Sequence, residues 1–101
     1  MAISSIEHKG SWYNIYDSYG NKSKTIPDYV GELLGWSDRF FIIAKGSWYE
    51  TYDEQGTRIK IMPSYIGSFV SITGDQFIVR KGTWLDTYDC FGRKLGTRPA
   101  R

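Results

Sequence analysis

An unbroken 36-residue period constrains this chain more than any other feature. Lys9-Gly10-Ser11-Trp12 returns as Lys45-Gly46-Ser47-Trp48 and again as Lys81-Gly82-Thr83-Trp84. Each copy continues through a Tyr-Asp pair to a glycine, as Tyr16-Asp17-Gly20, Tyr52-Asp53-Gly56 and Tyr88-Asp89-Gly92, and Pro27, Pro63 and Pro99 keep the same spacing. A fixed period without insertions makes each copy one supersecondary block, stacked on its neighbours or set around an axis with them.

One copy shows what the block is. Phe40 to Lys45 is an apolar run ending at Lys-Gly, which reads as a strand entering a tight hairpin turn. Trp48 to Asp53 then alternates, with Trp48, Glu50 and Tyr52 on one face and Tyr49, Thr51 and Asp53 on the other. Asp53-Glu54-Gln55-Gly56 has the residues of a type I turn, and Thr57 to Met62 is the next strand. Pro63 stops the ladder, because proline cannot donate to it. Gly67 to Thr73 makes a fourth strand, which turns at Gly74-Asp75 into the next copy.

Cutting at the proline connections gives a single all-β domain of three antiparallel meanders, 1–26, 29–62 and 65–101. The first has three strands and the others four, about eleven in all. Three such sheets with pseudo-threefold symmetry predict a β-prism or a three-bladed propeller-like fold; a trefoil would need more chain for its barrel and cap. In size and repeat number the chain resembles the β-prism lectins of the monocot mannose-binding type, without their Gln-x-Asp-x-Asn-x-Val-x-Tyr motif. Gly46-Ser47-Trp48-Tyr49 with Gly56 downstream is similar to the hairpin of choline-binding cell-wall repeats, over about a dozen residues per copy.

At 101 residues such a chain buries somewhat over ~60% of its unfolded surface, enough for a modest core. Aromatics reach 17% and sit among β-branched residues, a profile that favours strands. A net charge of +2 is too small for a dedicated nucleic-acid binder, and the basic residues gather only at the tail, Arg93-Lys94 through Arg98 and Arg101. No basic n-region and apolar h-region open the chain, and no run approaches the roughly 18 apolar residues of a membrane helix, so a cytoplasmic location is expected. Cys90 has no cysteine to pair with, and with His8 it is too little for a metal site, so no cofactor is expected.

Candidate residues follow from the repeat. Asp17, Asp53 and Asp89 are turn residues whose side chains bond the backbone two residues on. Lys9, Lys45 and Lys81 are solvated turn residues and possible anion contacts. Trp12, Trp48 and Trp84 are either core residues, as tryptophan is on average, or three equivalent stacking platforms. Asn14, Glu50 and Asp86 share their face, and a buried acid there requires a partner. The candidate ligand-binding set is therefore Trp12, Asn14, Tyr16, Trp48, Glu50, Tyr52, Trp84, Asp86 and Tyr88. Trp36, standing where Ile72 does in the fourth strand, reads as core packing, and Tyr19 and Phe91 as exposed loop tips. No Ser/His/Asp set or carboxylate pair is present, and Cys90 has no neighbouring base, so no enzyme is expected. Two binder classes remain. The first is a protein-interaction module, either a homo-oligomer that completes the three-stranded first sheet by edge pairing or an inhibitor-type protein that neutralises a partner. The alternative is a glycan or small-ligand module using the Trp/acid/Tyr faces.

Overall fold

The structure, a computed structural model, describes residues 3–99. Eleven strands form three antiparallel sheets. The first is β1 (Ile3–Lys9), β2 (Trp12–Asp17) and β3 (Lys22–Pro27). The second is β4 (Glu32–Trp36), β5 (Phe40–Lys45), β6 (Trp48–Asp53) and β7 (Arg58–Pro63). The third is β8 (Ser68–Thr73), β9 (Gln76–Lys81), β10 (Trp84–Asp89) and β11 (Lys94–Pro99). Within each sheet the strands lie in chain order, as expected of a meander. The chain leaves one sheet for the next just after Pro27 and Pro63, through short 3-10 turns at Asp28–Val30 and Ser64–Ile66 that the sequence did not suggest.

The hydrophobic pattern of the middle strand of each copy decides the packing. In β5, Phe40, Phe41, Ile42 and Ile43 are all buried. Successive side chains point to opposite faces, so a continuous apolar run marks a sheet covered on both sides. Phe41, Ile43 and Tyr52 pack against Ile3, Ile6, Tyr13, Ile15 and Ile26 of the first sheet. Phe40, Ile42, Tyr49 and Met62 pack against Phe77, Val79 and Cys90 of the third. The matching positions of the outer sheets are polar on one side: Ser5 and Glu7 stand where Phe41 and Ile43 do, and Gln76 and Arg80 where Phe40 and Ala44 do. A prism or small propeller would bring three sheets to one shared core. Here the apolar residues form two clusters with the central sheet between them, and no closed barrel is present among the described residues.

The turns behave as their sequence requires. One oxygen of Asp53 accepts from the amides of Gln55 and Thr57, both at 2.9 Å, and the Gly56 amide donates to the Asp53 carbonyl. Asp17 and Asp89 repeat the arrangement. These turns also make the joints between sheets. A Cβ on Gly56 would lie 2.9 Å from Lys24 Cγ and 3.6 Å from Ile26 Cγ2 of the first sheet, and one on Gly92 would lie 3.1 Å from Lys60 Cγ and from Met62 Sδ of the second. The Thr51 hydroxyl adds a 2.7 Å bond to the Cys90 carbonyl across the second joint. Gly20, the first-copy equivalent, has open space around it.

Candidate functional site

Cross-strand pairing places two rows of side chains next to each other on the tryptophan face. Trp84 lies opposite Lys81 on one side and Pro99 on the other, and Asp86 lies between Val79 and Thr97. In the second sheet the rows are Lys45-Trp48-Pro63 and Ile43-Glu50-Ile61. Directly opposed residues share a face, so a lysine, an indole and an acid converge in the second and third copies. Lys81, Trp84, Asp86, Lys94 and Thr97 line an open cleft of about 330 Å³. Lys45, Trp48, Glu50 and Ile61 line its counterpart of about 490 Å³.

The tryptophans are not core residues. Trp12, Trp48 and Trp84 are 49%, 51% and 51% exposed. This overturns the average expectation for tryptophan, because the indole stands at the hairpin end of the sheet, where no neighbouring layer covers it. The polar residues beside them are buried, with Glu50 at 7% and Asp86 at 5%. Each has the partner that burial demands. Glu50 accepts from the Tyr52 hydroxyl at 2.8 Å and lies 3.9 Å from the Arg58 guanidinium. Asp86 accepts from the Thr97 hydroxyl at 2.7 Å and lies 3.9 Å from the Lys94 ammonium. In the first copy Asn14 takes this place and accepts from Thr25 at 3.1 Å.

The tyrosines divide differently from the tryptophans. Tyr52 is buried and stacked on Phe41, with centroids 5.1 Å apart and planes 6° from parallel. Tyr88 stacks on Phe77, and Tyr16 donates to Glu7. Tyr52 therefore anchors Glu50 from within the core, while the tryptophans stand in solvent. The cations that complete the clefts, Lys45, Lys81 and Lys94, were not in the candidate set. Their signal was present in the sequence, since position 9 of the repeat is always Lys and position 22 is Lys, Arg, Lys. Lys81 is also held with its ammonium 5.9 Å from the Tyr65 ring centroid.

The Tyr52 phenol is pushed up to about 12, first by burial and then by its bond to Glu50 and the carboxylate charge, against a smaller pull from Arg58. A free phenol ionises near ~10, so the folded chain holds this proton more tightly than the unfolded one. The resulting stabilisation is complete below about pH 10 and is lost as pH rises through about 12. A spectrophotometric titration should show one tyrosine ionising near pH 12, and Tyr52→Phe should remove that late component. Its persistence in the variant would refute the assignment.

Elsewhere the surface offers less. Cys90 is buried, and burial, then the charges of Asp89 and Asp75, raise its thiol above the ordinary range. His8 lies 3.1 Å from Asp28, with both side chains well exposed. Among the described residues no group of three His, Cys, Asp or Glu side chains is placed to hold a metal, and no helix is long and apolar enough to cross a membrane. No family model, curated protein or solved structure matches the chain.

Proposed function

We propose that the chain is a non-catalytic binding module that takes sugar rings of neutral or acidic glycans in its Trp-acid-Lys clefts. The observation that carries this reading is the equal half-exposure of Trp12, Trp48 and Trp84, each beside a buried, hydrogen-bonded Asn, Glu or Asp. An exposed indole offers a flat apolar surface to the apolar face of a pyranose ring. The buried carboxylate has lone pairs for ring hydroxyls, and its neighbours hold it in one orientation. Two cations around one acid in the third copy, Lys81 and Lys94 around Asp86, leave the cleft net positive. That charge disfavours a cationic ligand such as choline and favours a neutral or acidic one.

We read the three copies as successive layers of an open stack rather than a closed threefold ring. The elongated outline, 39 × 26 × 21 Å, supports this, as does the open space around Gly20 where Gly56 and Gly92 meet the preceding sheet. Sheets that pack face to face stand about 10 Å apart. Clefts repeated at such intervals suit a chain of sugar residues better than one small molecule.

A glycan array probed with the intact protein tests the reading, followed by titration of the best binder against Trp84→Ala. Aromatic stacking of a ring contributes about 1–3 kcal/mol, so the variant should bind roughly ten- to a hundredfold more weakly with an unchanged circular dichroism spectrum. Absence of any array signal, or wild-type affinity in a natively folded Trp84→Ala, would sink the proposal.

A further inference from the structure

The two joints between sheets are built alike, so each end of the molecule carries one half of a further joint. In the first joint Ile6, Tyr13 and Ile26 of one sheet meet Phe41, Ile43 and Tyr52 of the next. In the second, the residues 36 positions on do the same, as Ile42, Tyr49 and Met62 meet Phe77, Val79 and Tyr88. Every sheet thus has a leading face, turned to the sheet before it, and a trailing face, turned to the sheet after it. Among the described residues no sheet covers the leading face of the first or the trailing face of the third. These two faces are halves of the same joint, on opposite ends of one chain. A contact between unlike faces does not close on itself, so copies that met in this way would add one after another into an open fibre.

The end faces keep part of the joint and change the rest. On the third sheet Ile78 and Leu85 stand where Ile42 and Tyr49 do, and Leu95, 48% exposed, stands where Ile59 packs on the second cluster. Gln76, Arg80 and Arg98, however, replace Phe40, Ala44 and Met62. On the first sheet Ser5 and Glu7 replace Phe41 and Ile43. Arg98 occupies the position that matters most to the turns. A Cβ on Gly92 would lie 3.1 Å from Met62 Sδ, and one on Gly56 would lie 3.6 Å from Ile26 Cγ2, so each turn rests on this position of the sheet before it. Gly20, with open space around it, would have to rest on a guanidinium. Glu7 supplies one carboxylate against the two arginines and already accepts from the Tyr16 hydroxyl. A charge buried without a partner is costly.

The strand count is not the obstacle. Trp36, whose place in the repeat reads as core packing, is instead 38% exposed. Its counterpart Ile72 lies under Gly35 of β4, where a Cβ would be 3.2 Å from Ile72 Cγ2, and among the described residues no strand beside β1 does this for Trp36. The first joint forms without that strand all the same. We infer that Ser5 and Glu7 at one end, and Gln76, Arg80 and Arg98 at the other, keep copies of this chain from stacking end to end, and that the two faces bind each other once the joint's own residues are restored. The inference goes beyond the glycan reading and rests only on the layered order of the sheets. Its consequence for the clefts is a fixed number per molecule.

The test gives each end the residues of the middle copy, in separate chains. One variant carries Ser5→Phe and Glu7→Ile, the other Gln76→Phe, Arg80→Ala and Arg98→Met. In sedimentation at roughly 1 mM, where even millimolar association is visible, the wild type and each variant alone should be monomers. The equimolar mixture should have twice the monomer mass, and a chain carrying both sets should form open-ended polymers. Mixing separates the joint from general stickiness, which would make a variant associate with itself. With the Ser5→Phe, Glu7→Ile chain isotope-labelled, the mixture should also shift the Gly20 amide. The inference is overturned if natively folded variants stay monomeric when mixed, if either variant or the wild type associates alone, or if Gly20 is untouched in the complex. Should the second variant lose its native circular dichroism spectrum, Arg80→Ala with Arg98→Met takes its place under the same outcomes. None of these results depends on a glycan, so failure here is distinguishable from failure of the glycan reading.

Discussion

Replacing Phe40 or Phe41 by alanine is expected to cost about 3–5 kcal/mol each in denaturant unfolding. Replacing Gln76, the third-copy equivalent of Phe40, should change stability by no more than about 0.5 kcal/mol. Both phenylalanines are fully buried, yet they point to opposite faces of the central sheet, Phe41 into the cluster with the first sheet and Phe40 into the cluster with the third. Each truncation opens a void between two sheets that are tied together by their strands and cannot close fully around it. Since a domain of this size has about 5–15 kcal/mol in total, either variant would stand near the limit of folding. Gln76 faces away from the second sheet and is exposed. Equal losses at Phe40 and Gln76 would contradict the layered order.

Gly31→Ala and Gly67→Ala are expected to be destabilising by about 3 kcal/mol or more, combining backbone strain with overpacking. The φ angles are 139° and 141°, where side chains other than glycine are strained. Space is lacking as well. A Cβ on Gly31 would lie 2.5 Å from the Ala44 carbonyl oxygen and 2.6 Å from Ile43 Cγ2, and one on Gly67 would lie 2.7 Å from the Arg80 carbonyl oxygen. The carbonyls of Gly31 and Gly67 themselves accept a tyrosine bond, from the Tyr13 hydroxyl at 2.8 Å and from the Tyr49 hydroxyl at 2.6 Å, so a shift of the turn also frees a phenol. Gly10→Ala is the control. Its φ of 61° is that of a left-handed turn with open space around it, so only the ~1–2 kcal/mol of the left-handed conformation is at stake. A chevron or equilibrium urea series on the three variants checks the order.

The strands and turns could be read from the chain because their causes are local. The Lys-Gly hairpins, the Asp-x-x-Gly turns and the stopping prolines act within a few residues, and the strands Phe40–Lys45 and Trp48–Asp53 have the bounds predicted by the apolar run of the first and the alternation of the second. The strand count of three, four and four followed from the same marks. The packing order was also written in the sequence, although it was not read there: Phe-Phe-Ile-Ile in the middle copy against Ser-Ser-Ile-Glu and Gln-Phe-Ile-Val outside it. Such a substitution pattern distinguishes an inner layer from outer ones only when the copies are compared face by face.

The candidate site was half legible. Convergence of Trp84 with Asp86 followed from alternation along one strand. The lysines and Thr97 come from neighbouring strands, and their approach depends on hairpin register. Exposure of the tryptophans and of Trp36 could not be read locally, because it depends on where the adjacent layer ends.

The sequence by itself determined that the chain folds as three antiparallel meanders, since turn chemistry and side-chain alternation act over a handful of residues. Only the tertiary structure decided that the middle sheet is covered on both faces, that three tryptophans stand in solvent beside a buried Asn, Glu or Asp, and that the edge of β1 is left open. Those outcomes depend on which surfaces are removed from water when one sheet meets the next, and that contact joins residues far apart in the chain.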